Sequence, residues 1–191
     1  MRCLSCHTLS FFPFCRICKE QLIKPTITKR VVDNLEIYSF FNYQDIEDLL
    51  LTKHTPQGFK VYNALANMVF KPFIEKFIEE YKESLYILGI DETVMYGYSH
   101  VAVLTHALEH KNVRVLYGKL RAKNSIKYAG KSLLYRLEHP RGFKYRGLKG
   151  IDVILVDDIV TTGTTLKEAK SILEKEDVNV IFALTLAGVK V

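Results

Sequence analysis

The chain has 191 residues, 48% of them hydrophobic, and its 27 Lys and Arg residues against 21 Asp and Glu give a net charge of +6. This length accommodates one main domain with a full buried core. No apolar run approaches the roughly 18 to 20 residues that a transmembrane helix needs, so we expect a cytoplasmic protein without membrane insertion.

All four cysteines lie near the start of the chain in two Cys-x-x-Cys pairs, Cys3 with Cys6 and Cys15 with Cys18. Each pair brings two thiolates within reach of one metal ion, and the loop between the pairs lets them face each other. The spacing predicts a closed, structural zinc site in a module of residues 1–24, with His7 as a neighbour. Two disulfides are the alternative, but the chain opens without an apolar signal segment, and cytosolic thiols stay reduced.

Residues 25–84 follow as a connector and a mainly helical segment. Aromatic and β-branched residues predict a strand over 35–43, followed by a short helix that ends near Leu51. Further along, an apolar residue at every fourth position predicts a long helix over 58–82. Pro72 lies within this helix and is expected to kink or divide it.

The remainder of the chain, residues 85–191, alternates strands with helices. The predicted strands cover residues 85–88, 113–117, 153–156 and 178–186, and the predicted helices cover 98–110 and the residues from Leu166 onward. Because strands that alternate with helices pair in parallel, the sequence predicts an α/β fold with a parallel sheet flanked by helices.

The most informative stretch links the strand at 153–156 to the helix that starts near Leu166. Two carboxylates, Asp157 and Asp158, follow the strand. The residues Thr161, Thr162, Gly163, Thr164 and Thr165 then lead into the helix. Open α/β sheets bind ligands at this edge. Adjacent carboxylates accept hydrogen bonds from sugar hydroxyls, whereas threonine hydroxyls and backbone N–H groups at a helix N-terminus hold an anion. The stretch can therefore hold both ends of a ribose 5-phosphate; the alternative is a threonine-rich helix cap.

This stretch resembles the phosphoribosyl pyrophosphate (PRPP) loop of type I phosphoribosyltransferases, with its hydrophobic strand, acidic pair and Thr-Gly-Thr-Thr turn. The resemblance implies that Asp157 and Asp158 bind the ribose hydroxyls and orient the ring for catalysis. It implies that residues 161–165 bind the 5-phosphate and that magnesium accompanies PRPP. It further implies a type I phosphoribosyltransferase-like fold, with a hood within residues 25–84 ahead of a core over 85–191.

Together with the four cysteines, this loop resembles the ComF family of competence-associated phosphoribosyltransferase-like proteins. The resemblance spans essentially the whole chain and includes Leu50-Leu51-Thr52-Lys53-His54, where the family carries a leucine-lysine segment. Tyr96-Gly97-Tyr98-Ser99-His100 stands where relatives usually show Arg-Gly-aromatic-Asn-Gln, so His100 merits a mutation. The turn upstream, which contacts pyrophosphate in type I enzymes, contains Asp91 and Glu92 and therefore requires magnesium there.

The positive charge is concentrated in residues 111–150, which hold 12 of the 27 basic residues and one acid, Glu138. Aromatic residues alternate with the basic ones: Tyr117, Tyr128, Tyr135, Phe143 and Tyr145. This combination suits single-stranded nucleic acid. A lid that closes over PRPP and a solvated surface are the alternatives. We assign Lys119, Arg121, Lys123, Lys127 and Lys131, between possible hinges at Gly118 and Gly130, to the lid, and Arg141, Lys144 and Arg146 to DNA.

These features predict a phosphoribosyltransferase-like protein that binds PRPP with magnesium. The ComF resemblance adds a role in DNA uptake during natural transformation, with contacts to single-stranded DNA. The alternative is a non-catalytic PRPP sensor or adaptor that acts through partners such as a competence helicase. Salvage of a free nucleobase is less favoured, because salvage needs neither a zinc module nor so uneven a charge distribution.

Overall fold

The computed structural model describes residues 1–90, 94, 97–124, 133–138 and 140–189. Its elements, in chain order, are β1 (Thr28–Val32), β2 (Leu35–Asn42), α1 (Tyr43–Leu50), α2 (Pro56–Glu80), β3 (Leu85–Gly89), α3 (His100–His106), β4 (Val113–Val115), β5 (Leu120–Ala122), α4 (Leu133–Glu138), β6 (Phe143–Tyr145), β7 (Ile151–Val160), α5 (Thr164–Lys175) and β8 (Val178–Gly188). A π-helical turn, Cys18–Leu22, precedes β1, and a 3-10 turn, Leu51–His54, joins α1 to α2.

Six of these strands form one central sheet in the order β1-β2-β8-β7-β3-β4. The five strands from β2 to β4 in that order run parallel, whereas β1 pairs antiparallel with β2. The central strands β7 and β8 are almost continuously buried, as expected for strands of a parallel sheet that is covered on both faces. The predicted α/β class, with a mostly parallel sheet flanked by helices, is therefore confirmed.

The two faces of the sheet pack against different helices. Ile154 and Val156 belong to an apolar cluster with α2 and α3, whereas Val153 and Leu155 belong to a second cluster with α5. This division follows from the strand geometry, because successive residues of a strand point to opposite faces.

The amino-terminal cysteine segment packs directly on the main core. Cys3, Phe14, Cys18 and Ile23 are buried in the same apolar cluster as Phe70 of α2. The segment therefore gains part of its order from contacts with the helical face of the sheet, in addition to any contribution from a metal.

The long helix α2 has a well-defined start and passes its proline without ending. Thr55 caps its N-terminus, since the side-chain oxygen accepts a hydrogen bond from Gly58 N–H at 3.2 Å, and Pro56 occupies the first turn. The helix continues through Pro72 to Glu80 as a single element, so the proline does not divide it.

The third helix is shorter than the pattern over 98–110 predicts. It ends at His106, because the chain then makes a tight turn in which His110 and Val113 exchange backbone hydrogen bonds before β4. The short elements β1, β5, β6 and α4, of three to six residues each, were not predicted from the sequence.

Within the described residues, no helix combines the length and the apolar character needed to cross a membrane.

Candidate functional site

The acid pair lies within the carboxyl-terminal half of β7, near the edge where parallel strands present ligand sites. The strand extends beyond the predicted residues 153–156, so Asp157 and Asp158 are part of it and Asp157 is in register with Thr185 of β8. Both carboxylates are largely buried, with 8% of Asp157 and 6% of Asp158 exposed. Buried carboxylates require partners, and those of Asp158 define the site.

One oxygen of Asp158 contacts three side chains from three separate segments. Lys53 Nζ donates to Oδ2 at 2.9 Å, and the Tyr62 hydroxyl donates to the same atom at 3.3 Å. His100 Nε2 lies 3.4 Å from it. Lys53 comes from the 3-10 turn, Tyr62 from α2 and His100 from the first turn of α3. Asp158 therefore contacts all three of these segments, which cover this face of the sheet.

These contacts hold Asp158 in its ionised form. Burial by itself raises the pKa of this carboxyl, but His100 and Lys53 outweigh that effect and keep the pKa well below its usual range. Burial, reinforced by the neighbouring Asp158 charge, raises the pKa of Tyr62 far above its usual range, so Tyr62 stays a neutral donor. At neutral pH the cluster thus contains a buried carboxylate that is paired with the Lys53 ammonium group.

Asp157 has a different environment from its neighbour. Its Oδ1 accepts a hydrogen bond from the backbone N–H of Asp158 at 2.9 Å. Successive residues of a strand point to opposite faces of the sheet, so the two carboxylates have different neighbours.

The predicted phosphate turn leads from β7 into α5. The hydroxyls of Thr162 and Thr164 lie 2.7 Å apart, and Lys167 N–H donates to the Gly163 carbonyl at 2.9 Å as the first helical hydrogen bond. Gly163 has a φ of 80°, in the left-handed region, and Thr161, Thr162, Thr164 and Thr165 are partly exposed around it. The N-terminal N–H groups of α5, together with these hydroxyls, form a surface suited to an anion.

Side chains of the β1–β2 hairpin contact this turn and the helix that follows it. Arg30 donates to the carbonyl oxygens of Thr161 and Val189 with its two terminal nitrogens. Lys167 of α5 pairs with Asp33 in the hairpin turn. Since Arg30 occupies the Thr161 carbonyl, the turn is fixed by a residue that is distant in sequence.

Only some of the residues described above belong to a local sequence pattern. The acid pair and the threonine turn were predicted from their pattern, and His100 was marked for mutation. Lys53 was noted only as part of a family-like segment, and Tyr62 and Arg30 were missed. Neither a lysine after the end of a helix nor a tyrosine on the apolar face of a helix is by itself typical of a ligand-binding site.

The four predicted cysteines come together as a second candidate site. Their sulfur atoms all lie within 4.8 Å of one another, and Cys6 Sγ and Cys15 Sγ are 3.7 Å apart. A tetrahedral Zn²⁺ with bonds of about 2.3 Å separates its sulfur ligands by about 3.8 Å, so the group fits the ion. Among the described residues this is the one such group of metal-binding side chains, and His7 is not part of it.

Hydrogen bonds around the sulfurs fit the same interpretation. Cys15 N–H donates to Cys3 Sγ at 3.3 Å, and Cys18 N–H donates to Cys15 Sγ at 3.5 Å. Burial raises the pKa of the Cys3 thiol, but backbone hydrogen bonds outweigh it and lower the pKa to about 6. Burial raises the pKa of Cys18 to about 12. A divalent cation would replace the thiol protons and neutralise the resulting thiolates.

Two short strands of the basic segment, β5 and β6, form an antiparallel ribbon with distinct faces. In the β5–β6 pair, Arg121 lies opposite Lys144, and both are exposed. The exposed basic residues of the ribbon and its ends are Lys119, Arg121, Lys123, Lys144 and Arg146. Phe143 and Tyr145 alternate with them in sequence but are buried in the cluster on the α5 side. These two aromatic residues therefore belong to the core and offer no face to a nucleic-acid base.

Several predicted residues lie elsewhere or outside the described part. Arg141 is only partly exposed, and its backbone N–H donates to Glu168 of α5 at 3.0 Å. Seven residues named in the sequence analysis lie outside the part of the chain that the structure describes: Asp91, Glu92, Tyr96, Lys127, Tyr128, Gly130 and Lys131. The predicted lid and the pyrophosphate turn are thus only partly covered by the structure.

Residues 125–190, which include β7 and the threonine turn, match the family model described as the phosphoribosyl transferase domain. No curated protein matches the chain.

Several solved structures are similar to the chain. An adenine phosphoribosyltransferase is 17% identical over 88% of this chain and 89% of that one, with a TM-score of 0.44. A hypoxanthine phosphoribosyltransferase from Staphylococcus aureus is 17% identical over 66% of this chain and 64% of that one, with a TM-score of 0.44. UMP synthase from Leishmania donovani is 19% identical over 73% of this chain, which spans 24% of that protein, with a TM-score of 0.39.

We expect Gly163→Ala to destabilise the protein. A left-handed backbone costs a residue with a Cβ about 1–2 kcal/mol. The added Cβ would also lie 2.9 Å from Val32 Cγ2 of β1, which must move. Urea denaturation measures the resulting decrease in the free energy of unfolding. Gly150→Ala is the matched control, because Gly150 has a φ of 63° and its Cβ would have no neighbour closer than 3.8 Å. Equal losses in the two variants would contradict the packing of β1 on the turn.

For the cysteine site, we expect about one zinc ion per chain in the purified protein and nearly none in Cys6→Ser, since three thiolates bind zinc less tightly than four. Removal of the metal with a chelator should lower the melting temperature, because Cys3 and Cys18 are part of the core. Metal analysis and thermal unfolding measure these effects. His7→Ala should keep the metal, and a chelated protein with unchanged stability would contradict a structural zinc site.

Proposed function

We propose that the chain binds PRPP, with magnesium, at the junction of β7 and α5 and that it is a phosphoribosyltransferase-like protein. The observation that supports this most directly is the buried acid pair followed at once by a threonine-glycine turn at a helix N-terminus. The match of residues 125–190 to the phosphoribosyl transferase domain covers the same stretch. The carboxylates would accept hydrogen bonds from the ribose hydroxyls, and the turn would hold the 5-phosphate.

The residues of the site fit magnesium as part of the ligand rather than as a resident ion. Two carboxylates on one strand do not make an all-protein cage, and Mg²⁺ is usually bound by one or two carboxylates together with substrate phosphates. When bound, magnesium would neutralise charge on the pyrophosphate. The residues of this chain would fix the ribose ring and the 5-phosphate, and so orient C1 toward an incoming acceptor.

In a transfer reaction, an acceptor nucleophile would form a bond to the ribose C1. The bond between C1 and the pyrophosphate oxygen would break, and pyrophosphate would leave with the electron pair while the acceptor lost its proton. The protein would act mainly by positioning and electrostatics.

The resemblance to the ComF family supports a wider proposal, in which the protein acts in the cytoplasm during DNA uptake for natural transformation and contacts single-stranded DNA. The four-cysteine site and the exposed basic face of the β5–β6 ribbon support this proposal. A competence helicase and other DNA-uptake proteins are the candidate partners. A sensor that binds PRPP without turnover is the second candidate function, because the Lys53 ammonium group already neutralises the carboxylate of Asp158.

Calorimetric titration of PRPP with magnesium tests the ligand site. We expect Asp157→Asn and Asp158→Asn to weaken binding roughly 10- to 100-fold, the usual effect of losing a hydrogen bond to a charged group. Asp152→Asn is the control, because Asp152 lies on the same strand at its opposite end, where it accepts a hydrogen bond from Asn179. Equal affinity in all four proteins would contradict the proposed site.

Release of pyrophosphate in the presence of nucleobases or nucleic acids then separates the two candidate functions. Turnover that is lost in Asp157→Asn supports an enzyme. Binding without turnover across these acceptors supports the sensor.

The nucleic-acid contact predicts a steep salt dependence of binding to a single-stranded oligonucleotide. Replacing Arg121, Lys144 and Arg146 with Gln should reduce the slope of log affinity against log salt by about 2, since each phosphate contact contributes about 0.7 for single strands. The control is the triple Gln variant of Lys60, Lys71 and Lys76, three exposed lysines on α2. Fluorescence anisotropy at several salt concentrations measures both. Equal slopes in the two variants would remove the ribbon from the binding surface.

A further inference from the structure

The four cysteines of the metal site differ in their exposure to solvent. Cys3 and Cys18 are 0% and 1% exposed and pack in the main apolar cluster. Cys15 is partly exposed and Cys6 is exposed. The group of sulfurs is therefore closed by the core on one side, whereas a small molecule in solution reaches it on the side of Cys6.

We infer that Cys6 is an oxidation site through which the cysteine module releases its metal. A peroxide from solution reacts at Cys6, and Cys6 and Cys15 then form a disulfide, while Cys3 and Cys18 remain thiols in the core. This inference goes beyond the proposed function, because it assigns a modification to the cysteine site and does not depend on PRPP.

Exposure selects Cys6 as the point of attack. The thiolate is the form of cysteine that peroxides oxidise, and the reaction also needs access from solvent. Zinc binds all of its cysteine ligands as thiolates, so the difference among the four lies in their access. Cys6 Sγ lies 3.0 Å from the hydroxyl of Thr8, which is itself exposed, and this contact does not bury Cys6.

Cys15 is placed to complete the disulfide. Its sulfur lies 3.7 Å from the sulfur of Cys6. A disulfide bond is about 2.0 Å long, so a movement of under about 2 Å joins the two atoms. Both residues are at least partly exposed and have room to move, whereas Cys3 and Cys18 are packed beside Phe14.

The reaction balances as a two-electron oxidation. The Cys6 thiolate attacks one oxygen of hydrogen peroxide, the O–O bond breaks, and a sulfenic acid and one hydroxide form. The Cys15 thiolate then attacks the Cys6 sulfur, the S–S bond forms, and the oxygen leaves as a second hydroxide. Two protons from the solvent convert these hydroxides to water. The site is left with two of its four sulfur ligands and releases its metal.

The α/β domain remains folded after this change. Cys3, Phe14, Cys18 and Ile23 are buried in the same cluster as Phe70 of α2, and these contacts do not require the metal. Oxidation therefore affects the exposed loop between the two cysteine pairs, which loses the position that a metal shared by both pairs would give it.

Treatment of the zinc-loaded protein with hydrogen peroxide tests the inference. We expect the release of about one zinc ion per chain, which a chromophoric chelator measures. The number of free thiols should fall from four, the total in the chain, to two. A thiol reductant should restore both the thiols and zinc binding, and the circular dichroism of the helices should stay unchanged throughout.

Mass spectrometry then identifies the disulfide in the wild-type protein. Three phenylalanines, Phe11, Phe12 and Phe14, separate Cys6 from Cys15, so chymotrypsin cleaves between the two cysteines. The oxidised protein should yield peptides in which Cys6 and Cys15 are joined. A thiol label that is added after unfolding should mark Cys3 and Cys18.

Two variants show whether Cys6 sets the rate. Cys6→His keeps a fourth ligand, because zinc also binds three cysteines with one histidine, but it lacks the reactive thiol; it should release zinc about tenfold more slowly under peroxide. The matched control is His7→Ala, which changes the exposed neighbour of Cys6 outside the sulfur group and should release zinc at the wild-type rate. If Cys6→His binds no zinc, the disulfide found in the wild type decides the question.

The outcomes distinguish the inference from the claims on which it depends. A disulfide that includes Cys3 or Cys18, or equal rates of zinc release in the wild type and Cys6→His, would overturn the inference and leave the zinc site standing. Zinc and four thiols that persist under peroxide would do the same. A purified protein that binds no zinc would overturn the zinc site, and this inference with it. None of these results depends on whether the protein binds PRPP.

Discussion

The buried carboxylate of Asp158 is the constraint on which the arrangement of this site depends. A carboxylate that is 6% exposed is stable in the ionised form only with close partners, and here they come from the 3-10 turn, α2 and α3. Removing one partner from a buried ion pair costs about 3–5 kcal/mol, an upper bound here because Lys53 is partly exposed. One strand residue therefore fixes the positions of three segments that precede it in the chain.

The threonine turn is held by an independent set of contacts on the other side of the sheet. Arg30 binds the carbonyl oxygens of Thr161 and Val189, and Gly163 has no room for a side chain beside Val32. The Thr161 and Val189 carbonyls are thereby satisfied by the hairpin, whereas the first N–H groups of α5 have no acceptor within the helix itself. The acid pair and the turn are adjacent in sequence, but they are positioned by different parts of the fold.

The sequence allowed the prediction of those features that have a local pattern. The strand and turn at 153–165 show one in consecutive residues, and the cysteine pairs show one in their spacing. The partners Lys53, Tyr62 and Arg30 lie 96 to 159 residues from the atoms that they contact at this site, and no periodicity marks them. The short strands β5 and β6 were missed for the same reason, since they pair across about 20 residues of chain and β6 packs against α5.

The helix α5 joins the two surfaces to which ligands are assigned. Its first turn carries the threonines of the proposed phosphate site, and one turn further along Glu168 accepts hydrogen bonds from the backbone N–H groups of Arg141, at 3.0 Å, and Gly142, at 2.7 Å. These two residues lead directly into β6, which carries Lys144 on the basic face. Both contacts are made to Glu168, so one short helix carries the threonine turn at its start and holds the entry to the basic ribbon through its side chain. The proposed ligand site and the proposed nucleic-acid surface are therefore positioned by the same structural element, although they are formed by segments that lie about 20 residues apart in the chain.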